Sequence, residues 1–138
     1  MRFIGSSTGV FMLPRKLYRV LLWVQGGYTL LTALWGLIDI DSFMAVTGPK
    51  TDIWLVKTVS VILVAIGVAL LSFLWVQSDP LPAILLGLLT SAGLAAIDFY
   101  YSGREVISWV YALDGIAEAL FTLVWLYLLS QRKVLQKT

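Results

Sequence analysis

The last long apolar segment of the chain, Val106–Ser130, reads VISWVYALDGIAEALFTLVWLYLLS. Apart from Asp114 and Glu118, it consists mainly of Leu, Val, Ala, Phe and Trp. It exceeds the ~20 apolar residues needed to cross a ~30 Å hydrocarbon layer, so we predict a transmembrane helix. Spacings of three or four residues place one set of side chains on a single helix face: Ile107, Tyr111, Asp114, Glu118, Thr122 and Trp125.

The two acids on this face are expensive for a membrane segment. A carboxylate near the centre of a bilayer costs about 2.5–3.5 kcal/mol even on the mildest scale. Asp114 and Glu118 lie one helical turn apart, so their charges would also repel each other. The pair must therefore face other helices, water or a cation, or hold a proton.

Composition predicts that the whole chain belongs to the membrane. Hydrophobic residues make up 59% of it and charged residues 13%, against about 25% charged in a soluble domain, and the mean hydropathy is +0.89. We predict an all-α fold, an antiparallel four-helix transmembrane bundle. The helices are expected at about 17–38, 53–76, 81–101 and 106–130. A leader at 1–16 and a basic tail at 132–138 flank this single domain at 17–131.

The missing residue types exclude several kinds of chemistry. The sequence has no Cys, which excludes disulfides, thiolate chemistry and cysteine-ligated metals. It has no His, which removes the commonest general base and the usual zinc ligand. We therefore predict no metal site, no cofactor and no catalytic residue, and an enzyme is disfavoured but left open. A net charge of +2 needs no nucleic acid to explain it, because the basic residues lie at helix ends.

The distribution of basic residues predicts the orientation. Seven of the ten Lys and Arg residues flank the chain termini, namely Arg2, Arg15, Lys16, Arg19, Arg132, Lys133 and Lys137, and three lie on the other side, namely Lys50, Lys57 and Arg104. The positive-inside rule then places both termini in the cytoplasm of a plasma (inner) membrane protein. The apolar run beyond Arg19 is too long for a signal-peptide core and has no A-x-A-like cleavage site, so we interpret it as a retained first helix.

Two connections contribute to the expected arrangement. Asp39–Asp52 is the longest, and its apolar residues suggest a loop that lies in the membrane interface or folds over the mouth of the bundle. Gln77–Pro82 reads as a tight turn, so the second and third helices are expected to be antiparallel neighbours.

Four ionisable groups then fall in the outer half of the bundle. At ~1.5 Å per residue, Asp114 lies about 10–13 Å and Glu118 about 15–18 Å below the outer face, with Lys57 and Asp98 nearer that face. One interpretation is a pocket lined by acids and open to the outer side. The alternative is structural: Lys57 pairs with Asp98 at the interface, and the deeper acids bond hydroxyl groups. The candidates for those hydroxyls are Thr29, Thr32, Ser60 and Tyr111.

The overall plan resembles the DoxX-like and the emopamil-binding (EXPERA) groups of small four-helix membrane proteins. The matching candidates are Asp98, Asp114, Glu118, Tyr111 and Trp125. The resemblance implies an intramembrane ligand cavity lined by acids and aromatic rings. Sterol isomerases of the EXPERA group use a histidine together with acids. This chain has no histidine, which counts against that activity. Small multidrug exporters fit poorly, because their essential Glu lies in the first helix, whereas the first predicted helix here, 17–38, contains no acid.

The leading hypothesis is a non-enzymatic protein of the lipid bilayer that binds a small amphipathic or lipid-like ligand, with a cationic one among the candidates. The predicted site combines carboxylates with aromatic faces, which together suit an organic cation. Two alternatives stay open: a proton-coupled transporter acting as a homodimer, and an accessory subunit of a larger membrane complex. The predicted ligand-binding residues are Asp98, Asp114, Glu118, Tyr111, Trp125, Trp35, Trp54 and Lys57.

Overall fold

A computed structural model describes residues 7–136, with side chains from Met12 onward, and over this range the chain forms six α-helices. Residues 1–6 of the expected leader and 137–138 of the tail lie outside it, and with them Arg2 and Lys137. Four helices are long and apolar enough to cross a membrane, so the prediction of an all-α, multi-pass membrane protein is confirmed. The helices are α1 (Ser7–Ile38), α2 (Ile40–Thr47), α3 (Ile53–Ser72), α4 (Leu81–Gly103), α5 (Val110–Ser130) and α6 (Arg132–Gln136).

Two spans are shorter than the apolar pattern predicts. The second ends at Ser72 instead of Val76, because the chain turns there, with the Trp75 N–H bonded to the Ser72 carbonyl at 3.1 Å. The fourth begins at Val110 instead of Val106. Glu105, just before it, has a φ of 57° in the left-handed region, which a helix does not allow.

The expected loop after the first span contains a short helix, α2. Asp39 caps it, since its carboxylate accepts a hydrogen bond from the Ser42 N–H at 3.1 Å. Gly48 ends it with a φ of 91°, a conformation that glycine adopts without a steric penalty. Phe43 anchors α2 on α1 through an edge contact with Trp35, with 5.5 Å between ring centroids. Contacts with α1 and α5 place α2 over one end of the bundle, hereafter the α2 end.

The spans pack as two close pairs, α1 with α3 and α4 with α5. In the first pair, a Cβ added to Gly67 would lie 3.0 Å from the Gly26 carbonyl oxygen, so the two backbones approach closely there. The two helices are antiparallel. Ten residues further along α1 from Gly26, Gly36 lies beside Ser60, which precedes Gly67 on α3. Contrary to the expectation from the short turn, α3 and α4 share few contacts.

The two pairs are joined by an apolar core at the opposite end of the bundle. This end, which holds the start of α1 and the end of α5, is hereafter the terminal end. The fully buried members of this core are Leu22, Leu70, Ile84, Trp125 and Leu128. Large apolar side chains such as Leu31, Leu89 and Leu123 point outward and are exposed, as expected of helix faces that contact lipid. The core therefore occupies one half of the bundle and leaves the α2 end for polar groups.

Candidate functional site

A cavity of about 300 Å³ lies at the α2 end, between α1, α2 and α5. Its walls are mainly aromatic and aliphatic, and the acid on its lining is Asp114. The aromatic members are Tyr28, Trp35, Phe43 and Tyr111. The volume is at the lower limit of typical ligand pockets, so a small molecule would fill it.

Short-range contacts fix these aromatic walls. The Trp35 indole N–H donates to the Ser42 hydroxyl at 2.7 Å, which ties α1 to α2. Tyr28 makes an edge contact with Phe121 of α5, with 5.9 Å between the ring centroids. The Tyr28 hydroxyl donates a hydrogen bond to an Asp114 carboxylate oxygen and so joins α1 to α5 at the floor of the cavity.

Two further acids lie next to Asp114, and the three together are called the acid cluster. The carboxyl group of Asp98 on α4 is a close neighbour of that of Asp114. Gly115 permits this approach, because even a methyl group there would come within 3.2 Å of the Asp98 Cβ. Glu118 completes the cluster one turn along α5 from Asp114.

The acid cluster contains polar atoms that the protein leaves unsatisfied. Asp98 is 5% exposed and Glu118 is 1% exposed. Within the described residues, Asp98 Oδ2 and Glu118 Oε2 are buried and accept no hydrogen bond. An unsatisfied buried polar group costs about 1–3 kcal/mol, and more when it is charged. Such groups in native proteins call for an explanation such as a water molecule, an ion or a ligand.

Polar groups continue from the cluster toward the middle of the bundle and then stop. The Thr122 hydroxyl lies 2.9 Å from the Ser91 hydroxyl and so links α5 to α4. Beyond it, the Gln25 amide donates to the Gly87 carbonyl at 3.1 Å and accepts a hydrogen bond from the Trp125 indole N–H. The apolar core begins directly beyond this layer.

The structure brings five of the eight predicted site residues to this region. Asp98, Asp114 and Glu118 form the acid cluster, and Tyr111 and Trp35 line the cavity. The other three lie elsewhere, and they are Trp125, Trp54 and Lys57.

Trp125 is fully buried at the edge of the apolar core, where its ring lies against Gly87. Trp54 is 68% exposed on α3. Lys57 is also exposed on α3, and in the part of the chain that the structure describes it forms no ion pair with Asp98. Asp114 does accept a hydrogen bond from a hydroxyl group, but the donor is Tyr28. The expected donors were Thr29, Thr32, Ser60 and Tyr111.

Two residues at or beside the cavity were missed by sequence reasoning. Tyr28 lies on the same helix face as Thr32 and Trp35. Their spacing of four and three residues in the sequence could have identified it. Lys50, at the end of the connection after α2, donates to the carbonyls of Thr47 and Gly48 at 2.9 and 3.1 Å.

The Lys50 ammonium group also lies 5.1 Å from the centroid of the Tyr111 ring, within cation–π range. Partial burial lowers the pKa of Lys50 from its ordinary value. No sequence pattern placed this lysine against an aromatic ring of another helix.

The arrangement is suited to binding a polar or charged head group beside apolar surface. Among the described residues, no group of three His, Cys, Asp or Glu side chains has the geometry to hold a metal ion. The acid cluster therefore offers hydrogen-bond acceptors and negative charge at the edge of a small aromatic cavity. Searches of protein-family models, of curated proteins and of solved structures find no match to this chain, so the resemblance to the DoxX-like and EXPERA groups gains no support from them.

Proposed function

We propose that this integral membrane protein binds a small amphipathic organic cation in the cavity between α1, α2 and α5. In this proposal both chain termini are cytoplasmic and the cavity belongs to the outer half of a plasma membrane. The excess of Lys and Arg near the termini, seven of ten, supports that orientation.

The observation that carries the proposal is the unsatisfied acid cluster beside an aromatic cavity. Asp114 lies on the cavity lining, and directly behind it Asp98 and Glu118 each have a buried carboxylate oxygen without a hydrogen-bond partner in the described chain. A cation at Asp114 would reduce the repulsion among the three acids and supply the missing charge. The neighbouring Tyr28 ring would contribute cation–π attraction, worth about 0.5–2 kcal/mol.

A matched pair of ligands tests this proposal. Octylammonium and octanol share an alkyl chain but differ in charge, and binding of each to the purified protein is measured by titration calorimetry. We expect the cation to bind at least about tenfold more tightly, because interactions with a charged group contribute about 1.5–3 kcal/mol. Native mass spectrometry of the purified protein would show whether such a molecule is retained from the cell.

Variants separate the cavity from the rest of the acidic surface. Asp114→Asn and Glu118→Gln are expected to remove the preference for the cation and leave the helical circular dichroism spectrum intact. Asp52→Asn is the control, because Asp52 is an exposed acid at the same end that does not line the cavity. Retention of the preference in both cavity variants, or loss of the fold in both, would show that the assignment is wrong.

A second candidate is proton-coupled transport, and the proximity of Asp98 to Asp114 favours it, because two neighbouring buried carboxylates repel each other and a proton taken up by one of them could be exchanged for a substrate. A transporter needs a path to both sides, however, and here the polar groups end at Gln25 above a fully buried apolar core. A substrate flux into liposomes that depends on the pH gradient would favour transport, whereas a protein that only binds its ligand should show none.

A further inference from the structure

The terminal end of the bundle carries a strongly one-sided charge. Among the described residues, five basic side chains belong to this end, and the single acid there is Asp79 in the connection between α3 and α4. The remaining seven acids of the sequence lie in the half nearer to the α2 end. The basic residues are Arg15, Lys16, Arg19, Arg132 and Lys133.

That one acid is already engaged by the protein. The Asp79 carboxylate accepts hydrogen bonds from the Leu81 N–H at 3.0 Å, from the Arg132 guanidinium at 2.8 Å and from the Gln136 amide at 3.1 Å. These bonds, the Leu81 N–H first, lower the pKa of Asp79 from its ordinary value. Asp79 thus links α6 to the start of α4 and pairs with Arg132.

A groove of about 250 Å³ lies next to the two arginines of α1. Three parts of the chain form it: the beginning of α1, the connection after α3, and α6. Arg15 and Arg19, one helical turn apart, supply its positive charge, and Phe73, Trp75 and Leu135 supply apolar surface. The groove is therefore basic at one wall and aromatic at another.

The position of the groove matches the boundary between hydrocarbon and lipid headgroups. It adjoins Ser72, where the second span ends, and the first turns of the first span, which begins at Met12. Trp75 is 71% exposed there and makes an edge contact with Trp23, with 6.2 Å between the ring centroids. Tryptophan side chains concentrate at this level of a membrane because their rings are both apolar and polar.

We infer that this groove binds the headgroup of an anionic phospholipid, with the phosphate held by Arg15 and Arg19 and the first acyl carbons against Phe73 and Trp75. Guanidinium groups suit this role because their planar donors match the oxygens of a phosphate. A basic pocket at the edge of transmembrane helices attracts anionic lipids in preference to zwitterionic ones, with about 1 kcal/mol per Lys or Arg near the surface. This inference does not depend on the cavity at the α2 end.

The test compares two lipids with identical acyl chains, phosphatidylglycerol and phosphatidylcholine. Both are added in equal amounts to the full-length protein in mild detergent, and retained lipid is counted by native mass spectrometry. Phosphatidylglycerol should be retained preferentially, and Arg19→Gln should reduce that preference about fivefold. Lys16→Gln removes the same charge from the same turn of α1 but does not line the groove, so it should change the preference less than twofold.

Three results would overturn the inference. The first is equal retention of the two lipids by the unmodified protein. The second is an equal effect of Lys16→Gln and Arg19→Gln, which would indicate general surface attraction instead of a site. The third is displacement of the lipid by inorganic phosphate at the same concentration, which would indicate a site for a soluble anion. Arg15→Gln serves as a second variant, and Arg19→Gln alone decides the outcome if Arg15→Gln fails to fold.

Discussion

Replacing Gly87 with alanine should disrupt the layer that separates the acid cluster from the apolar core. A Cβ at this position would lie 2.3 Å from Cε2 and 2.4 Å from Nε1 of the Trp125 ring. The ring is fully buried and its N–H is bonded to Gln25, so it has no free space into which to move. Gly87 is thus a contact point between α4 and α5 that tolerates no side chain.

The expected cost follows from two contributions. Overpacking of a well-packed core costs about 1–3 kcal/mol. Displacement of Trp125 also breaks its hydrogen bond to Gln25, and interhelical bonds of this kind in membranes are worth about 0.6–2 kcal/mol. We therefore expect Gly87→Ala to lower the free energy of unfolding by about 2–4 kcal/mol.

The assay is unfolding in mixed micelles by titration with sodium dodecyl sulfate, followed by circular dichroism. Gly93→Ala is the matched control, because Gly93 lies on the same helix and no atom comes within 4 Å of an added Cβ. This control should leave stability unchanged or raise it by up to about 1 kcal/mol, since alanine favours helix over glycine.

A double-mutant cycle identifies the ring as the cause. In a Trp125→Leu background the obstructing indole is gone, so Gly87→Ala should cost less than half of what it costs in the unmodified protein. Equal stability of Gly87→Ala and Gly93→Ala would refute the reasoning, because Trp125 could then not lie against Gly87.

Two other changes test contacts at opposite ends of the bundle. Tyr28→Phe keeps the ring contact with Phe121 but removes the hydrogen-bond donor to Asp114. The free energy of unfolding should therefore fall by about 1 kcal/mol in the same titration. An unchanged free energy of unfolding would argue against that hydrogen bond. In the folded protein the pKa of Asp79 lies below its ordinary value of 3.8. The stabilisation that Asp79 provides is therefore complete above pH 3.8 and is lost as the pH falls from 3.8 toward the pKa of the folded state. The melting temperature of the unmodified protein should accordingly fall more steeply below pH 4 than that of Asp79→Asn, and parallel curves would contradict this.

Hydropathy predicted the four spans because length and apolar content are local properties of the chain. Helical periodicity also placed Asp114, Glu118 and Trp125 on the inner face of α5. It could not predict what each of them meets, because depth along the face and the identity of the neighbouring helix depend on packing. Trp125 therefore lies against Gly87 on α4, far from the cavity that it was expected to line.

The remaining differences have similar causes. The helix α3 is apolar on every side, so its sequence gave no indication that Lys57 would lie on an exposed face. Turn length indicated that α3 and α4 are consecutive but not that each prefers another partner. The short helix α2 had recognisable limits, Asp39 as its N-cap and Gly48 at its end, although its eight residues are too few to produce a clear apolar period.

Close contacts lie mainly within each helix pair and in the core at the terminal end. One pair is held together by the backbone approach at Gly26 and Gly67 and the other by the contact of the Trp125 ring with Gly87, and the two pairs are joined to each other mainly by the core at the terminal end. A rotation of one pair about that core would break the Tyr28–Asp114 bond and widen the cavity sideways. Under the proposed function, such a rotation would open a lateral entrance between α1 and α5, by which an amphipathic ligand could reach the cavity directly from the surrounding lipid.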